Sequence, residues 1–241
     1  MSEASFLAIG GQDVLALRGS VRLYLPGWAT DYRIFGDSAF AKNRDAKGDG
    51  LLLIKAEPVL DGEPVNLYLR YSDPAALPWI SEMIAASSAE WSLVGLSLGG
   101  FMAHELAVAL PSNVTSLTMI GIRRQYSSAV CRAMQRQLRQ DKDTLLAGFW
   151  EGAFGVHGRV YPLDGACDEG VLSRGLAYLG AYRWALDRLA CPVLCMHGEC
   201  DAIAPLAEAA DLAAVQQWAF HVLSNEAHIP RSGWENCLSH D

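Results

Sequence analysis

The chain has 241 residues, 51% of them hydrophobic and 19% charged, with a formal net charge of −8. That composition excludes intrinsic disorder, and the acidic balance argues against a nucleic-acid partner, whose phosphates need a basic surface. The length fits one domain, or one domain with an insertion, burying roughly 70–75% of its unfolded surface without a disulfide or metal staple.

The opening MSEASFLAIGG carries an acid and no basic stretch, which argues against a secretory leader. No apolar run approaches the roughly 18–20 residues of a membrane span, so no membrane partner is expected. The six cysteines (Cys131, Cys167, Cys191, Cys195, Cys200 and Cys237) form no C-x-x-C pair, and no histidine stands at finger spacing. Free thiols in a reducing cytoplasm are therefore expected, with no metal site.

In chain order, residues 21–25 form the first clear apolar run, followed by Pro26-Gly27. A second run, 51–54, follows Gly48-Asp49-Gly50 and the charged stretch 42–49. A helical pattern covers 78–86. The run 91–96 leads into Ser97-Leu98-Gly99-Gly100, and a helical pattern over 101–110 closes at Pro111. The run 116–122 comes next. From 123 to 190 no strand pattern is evident, only helical patterns broken by glycines. Then come a run at 192–197, a helical pattern at 205–217 and a last run at 219–223. Short runs apolar on both faces, alternating with helices, predict an α/β domain with a mostly parallel sheet flanked by helices. Residues 1–122 and 191–241 would form its core, and 123–190 a helical insertion.

The sharpest motif is Gly95-Leu96-Ser97-Leu98-Gly99, between a strand pattern and a helix pattern. That is the context of a nucleophile elbow, in which a tight strand-to-helix turn projects the serine at a helix N-terminus. The Leu98 amide would face a developing oxyanion. Serine needs a base. Of His104, His157, His197, His221, His228 and His240, the best placed is His228, in the loop after the last strand. The base needs an orienting acid. Asp201 follows the strand at 192–197, with Glu199 and Glu226 as alternatives. A second oxyanion donor would be the Trp28 amide, in Leu25-Pro26-Gly27-Trp28, where Gly27 permits close backbone approach. A bland reading stands beside each of these: a packing turn, a core tryptophan, a surface histidine.

LPGW, GLSLGG, HGECDAIAP and NEAHIP, in this order, resemble the α/β-hydrolase superfamily. Within it the chain looks most like the compact esterases of biotin synthesis that cleave the methyl ester of pimeloyl-acyl carrier protein. The resemblance implies an α/β-hydrolase fold with a helical lid at 123–190. It implies Ser97, Asp201 and His228 as a catalytic triad, and Trp28 and Leu98 as oxyanion donors. Phe149, Trp150 and Ala153, in the lid segment GFWEGAFG, would line the acyl chain. No cofactor is implied.

Six cations between 123 and 142 stand against Asp141 alone. Arg132, Arg136 and Arg139 share one helix face. With Arg123 and Arg124 they would dock an acidic carrier protein, or else form a solvated face. A thioesterase or general short-acyl carboxylesterase would use the same triad. A non-catalytic binding protein on the same fold is a reading from another class.

Overall fold

A computed structural model describes residues 6–9, 17–35, 53–56, 64–155, 168–185 and 188–231. Eight strands form one sheet: β1 (Phe6–Ile9), β2 (Ser20–Leu25), β3 (Leu53–Ala56), β4 (Val65–Leu69), β5 (Glu90–Leu96), β6 (Val114–Ile120), β7 (Val193–Gly198) and β8 (Ala219–Leu223). Their order is β1-β3-β4-β2-β5-β6-β7-β8. From β4 to β8 the strands are parallel, while β3 runs antiparallel to both β1 and β4.

Register explains why the apolar runs pair as they do. Leu67, Leu23, Leu93, Leu117 and Val193 stand side by side across five strands, and all are buried. The residues one step along face the opposite side of the sheet, because side chains alternate. There Tyr24, Tyr68 and Val94 belong to a second apolar cluster, in which Tyr24 stacks on Tyr68 at 4.6 Å.

Six α-helices are described: α1 (Leu77–Ala86), α2 (Leu98–Ala109), α3 (Ser128–Gln140), α4 (Lys142–Phe154), α5 (Glu169–Ala181) and α6 (Leu206–Gln216). Buried side chains of α1, α2 and α6 share the cluster of the leucine row. The sequence-based helices and strands recur within one to three residues. β1 and β4 were not expected, because β4 (VNLYL) is short and interrupted by Asn66. Between β6 and β7 the described residues form α3, α4 and α5, with no strand among them. No described helix is long and apolar enough to cross a membrane.

The strand order sets where a site can form. From β2 the chain passes outward to β4, then returns to β5 on the other side of β2. In an open parallel sheet such a reversal leaves a crevice at the carboxyl ends of the strands. The loops after β2, β5, β6, β7 and β8 all emerge at that end.

Candidate active site

Leu96 ends β5 and Leu98 opens α2, so Ser97 alone makes the turn. Its backbone sits at φ 49°, ψ −115°. A non-glycine residue there stores on the order of 1–3 kcal/mol and is held by its surroundings. The Ser97 amide donates to the Ile120 carbonyl at 2.8 Å, and the Gly100 amide donates to the Ser97 carbonyl at 2.8 Å. The flanking glycines allow the turn to pack closely. A Cβ at Gly99 would lie 2.0 Å from the Leu25 carbonyl oxygen, and one at Gly95 2.3 Å from that of Gly99. Leu98 is the first residue of α2, so its amide has no acceptor within the helix.

The loop after β2 is pinned on several sides. The Ser72 hydroxyl donates to the Pro26 carbonyl at 2.5 Å, and the Thr30 hydroxyl to that of Gly27 at 2.9 Å. Trp28 is buried; its indole N–H donates to the Leu172 carbonyl of α5 at 2.9 Å. Its ring meets Phe149 edge-on at 4.8 Å.

Asp201 and His228 are brought into contact. His228 Nδ1 lies 2.7 Å from Asp201 Oδ2, with both side chains buried. Oδ1 accepts from the Ile203 and Ala204 amides, each at 2.8 Å. Burial works to raise the Asp201 carboxyl. The charge and hydrogen bond of His228, the Ala204 amide and His197 outweigh it and hold the carboxyl below the usual carboxylate range. An ionised carboxylate only accepts, so the proton of His228 sits on Nδ1 and leaves Nε2 as the acceptor. That Nε2 is buried and has no partner among the described residues. Such a nitrogen can take a proton from a hydroxyl brought to it.

Ser97 and His228 share neighbours. A Cβ at Gly121 would lie 3.1 Å from the His228 ring, and Gly121 follows Ile120, whose carbonyl holds the Ser97 amide. Tyr126 bridges the rest. Its ring packs on Phe101 at 5.8 Å and beneath the Arg123 guanidinium at 5.2 Å. Its hydroxyl lies near that of Ser97 and within the field of Asp201. Burial pushes the Tyr126 phenol up to about 12, so it stays protonated at neutral pH.

Helix α4 touches the loops after β2, β7 and β8. The Trp150 indole donates to the Ala29 carbonyl at 3.0 Å, and the Ala153 carbonyl accepts from the Ile229 amide at 2.9 Å. A Cβ at Gly152 would lie 3.1 Å from Ile203 Cδ1. Phe149 and Trp150 are half-buried beside Trp28 and Ala29. Ala153 corrects its expected role: its side chain is fully buried in the second cluster, so it anchors the His228 loop and lines no acyl channel.

Arg123 is a second correction. Its guanidinium is bound to Glu208 at 2.7 Å and to the Ile203 carbonyl at 3.2 Å, so it is committed inside the molecule. Arg124, Arg132, Arg136 and Arg139 are exposed. Glu199 accepts from the Asn225 amide and Glu226 from the Arg231 amide, so both staple loops. His104 is buried against Tyr182, at 2.6 Å from its hydroxyl. Cys131, Cys191, Cys195 and Cys200 are free thiols. His157, His240, Cys167, Cys237 and the stretch 42–49 lie outside the described residues. Two contributors were missed in the sequence. His197 was placed only at a strand end, and nothing in its neighbours marks a contact four residues ahead. Tyr126 lies in an ordinary polar segment.

No family model matches the chain, and no curated protein matches it in sequence. Solved structures do match in shape. A thermophilic esterase from Thermogutta terrifontis superposes with a TM-score of 0.66 at 18% identity, covering 98% of this chain and 89% of that one. The enol-lactonase from Burkholderia xenovorans LB400 gives 0.65 at 15% identity, covering 98% and 93%. The type II thioesterase BorB from the borrelidin biosynthetic cluster gives 0.56 at 15%, covering 92% and 90%. Likeness at such identities speaks for architecture, and the architecture of this chain is the α/β-hydrolase fold.

Proposed function

We propose that this protein is a serine hydrolase of carboxylic esters. The observation that carries the reading is the 2.7 Å pairing of His228 Nδ1 with the buried Asp201 carboxylate, at the sheet end where Ser97 makes a strained elbow. In this reading the Ser97 hydroxyl attacks the ester carbonyl, and its proton passes to His228 Nε2. Asp201 stabilises the resulting imidazolium. The amides of Trp28 and Leu98 stabilise the oxyanion. His228 then returns the proton to the leaving alcohol, and a water activated by the same nitrogen releases the acid. The α/β-hydrolase architecture, shared with an esterase, a lactonase and a thioesterase, is consistent with this chemistry. The residues at 123–190 act as a lid, with Phe149 and Trp150 over the site.

The substrate we propose is a carrier-bound acyl ester, pimeloyl-acyl carrier protein methyl ester being the form the sequence resemblance favours. Its support is the face of α3, where Arg132, Arg136 and Arg139 are exposed while Cys131 and Leu138 face inward. An acidic carrier would be drawn to that face. The cytoplasm, where such carriers and free thiols are found, is the proposed location.

The test is hydrolysis of the carrier methyl ester beside free short-chain p-nitrophenyl esters, for wild type and Ser97→Ala. Preference for the carrier ester, lost on changing Arg132, Arg136 and Arg139 together to Glu, supports the reading. Turnover of small free esters alone leaves a short-acyl esterase and removes the carrier. A Ser97→Ala variant as active as wild type overturns the mechanism.

A further inference from the structure

We infer that Gly175, with Arg174 beside it, is a positioning residue for the ester chemistry: through this turn the helix α5 sets where Trp28 and Leu98 stand. This rests on the serine-hydrolase reading, in which the amides of those two residues hold the oxyanion, and it adds two residues to that reading.

The inward stripe of α5 is Leu172, Gly175, Leu176 and Leu179, at helical spacing and all buried. Three of these positions carry leucine. At the fourth the helix lies directly on the two oxyanion residues. A Cβ at Gly175 would lie 2.9 Å from Trp28 Cδ1 and 3.0 Å from Leu98 Cδ2. Neither neighbour can step aside freely, because both are buried. The Trp28 indole donates to the Leu172 carbonyl at 2.9 Å, one turn before Gly175, and its ring meets Phe149 of α4 edge-on. So α5 grips this ring twice, by a hydrogen bond and by the seat at Gly175. Leu98 directly follows Ser97 and opens α2. In a close-packed interior, a push on either side chain is passed to its own backbone, and so to the amide.

The same turn is tied to the core from outside. Arg174 Nε donates to Asp73 Oδ1 at 3.0 Å and Nη2 to Oδ2 at 2.6 Å, a two-pronged pair. The Asp73 carboxylate also accepts from the Ala75 amide, which fixes it to its own loop. Ser72, its chain neighbour, donates to the Pro26 carbonyl, two residues before Trp28. The Trp28 loop is thus held by Ser72 on one side and by α5 on the other, and the Arg174–Asp73 pair joins the two holds. Phe149 and Trp150 belong to α4 instead. A disturbance of α5 should therefore act on the oxyanion, which forms only in the transition state, more than on binding of the ester.

The experiment compares Gly175→Ala with Gly180→Ala. Both add a methyl group to α5 and raise its helix propensity alike. At Gly180, however, the methyl would meet Cys131 Cβ at 3.2 Å and Ser128 Cα at 3.3 Å, both on α3. For Gly175→Ala we expect kcat on a p-nitrophenyl ester to fall about 10- to 100-fold, less than the roughly 10²–10³ lost when an oxyanion donor is removed outright. KM should stay within about twofold. The Ki of a trifluoromethyl ketone, whose adduct with Ser97 carries an oxyanion, should rise by the factor that kcat/KM falls. Gly180→Ala should keep wild-type values of all three. Arg174→Gln, at a half-exposed side chain, should lose about two- to fivefold in kcat at low salt, and Arg174→Lys should recover part of it. Added salt should bring wild type down toward Arg174→Gln.

Gly175→Ala with wild-type kcat and Ki, or an equal loss in Gly180→Ala, overturns the inference. Should Gly175→Ala not fold, an Arg174→Gln indistinguishable from wild type at low salt overturns it as well. Failure of the serine reading looks different: wild type itself then binds no trifluoromethyl ketone, and Ser97→Ala keeps whatever turnover there is.

Discussion

At the residue scale the site turns on one carboxylate. The Asp201 side chain is out of contact with water and accepts from two backbone amides and from the His228 imidazole. Asp201→Asn keeps the shape but replaces an acceptor with an amide whose N–H faces the donors around it. We expect the protein to remain folded and kcat to fall on the order of 10⁴-fold, because His228 is pushed into the wrong tautomer. Steady-state kinetics beside a circular dichroism melt would show it, and wild-type kcat in a folded Asp201→Asn would refute it. Gly99→Ala should act through the fold instead. Its Cβ would stand 2.0 Å from the Leu25 carbonyl oxygen, a backbone atom that cannot yield. We expect a melting temperature lower by many degrees, or no folded protein, read by calorimetry. The turn at Ser97 and the loops that carry Asp201 and His228 were legible in the sequence, because each is a short motif after a strand run. The nearness of His197 and Tyr126 was not, since it depends on distances across the fold that spacing does not encode.

At the element scale α4 acts as a clasp. It holds the β2 loop through Trp150, the acid loop through Gly152 against Ile203, and the base loop through the Ala153 carbonyl. Trp150→Phe removes one N–H and strands the Ala29 carbonyl. Such a loss costs about 1–3 kcal/mol when the carbonyl stays buried, and thermal melting should show a lowered midpoint. An unchanged midpoint would mean that water replaces the indole. The helices described between β6 and β7 were legible as helical patterns, but the clasp was not, because Ala153 and Gly152 look like ordinary small helix residues. The same limit applies to Arg123, because nothing in its local sequence marks its pairing with Glu208. Strands β2, β5, β6, β7 and β8 were legible as apolar runs bounded by turn residues. The hairpin of β3 with β4 was not, since its pairing partner is set by the sheet.

At the scale of the whole molecule, the parallel sheet brings five loops to one end, and the strand order reverses at β2, beside the elbow. The aromatic packing behind the elbow has a cost in acid. His104, buried among Tyr182, Trp184 and Trp218, is pushed down to about 4 by burial. An unfolded chain protonates this ring near 6.5, while the folded one does so only near 4. Folding stability should therefore fall as pH drops through that window, by about 3 kcal/mol from this group alone. His104→Asn, which has no titrating ring, should show a shallower loss between pH 6.5 and 4 in urea titrations. An identical slope would contradict the assignment.

Everything proposed for the site depends on Ser97 being a nucleophile activated by its surroundings. The most direct measurement is labelling of the folded protein with a fluorophosphonate, read by intact mass and peptide mapping. One adduct, on Ser97, is predicted for wild type, with none in Ser97→Ala and a strongly slowed reaction in Asp201→Asn. No adduct on folded wild-type protein, or an adduct on another residue, would contradict the account and leave a hydrolase fold used for binding alone.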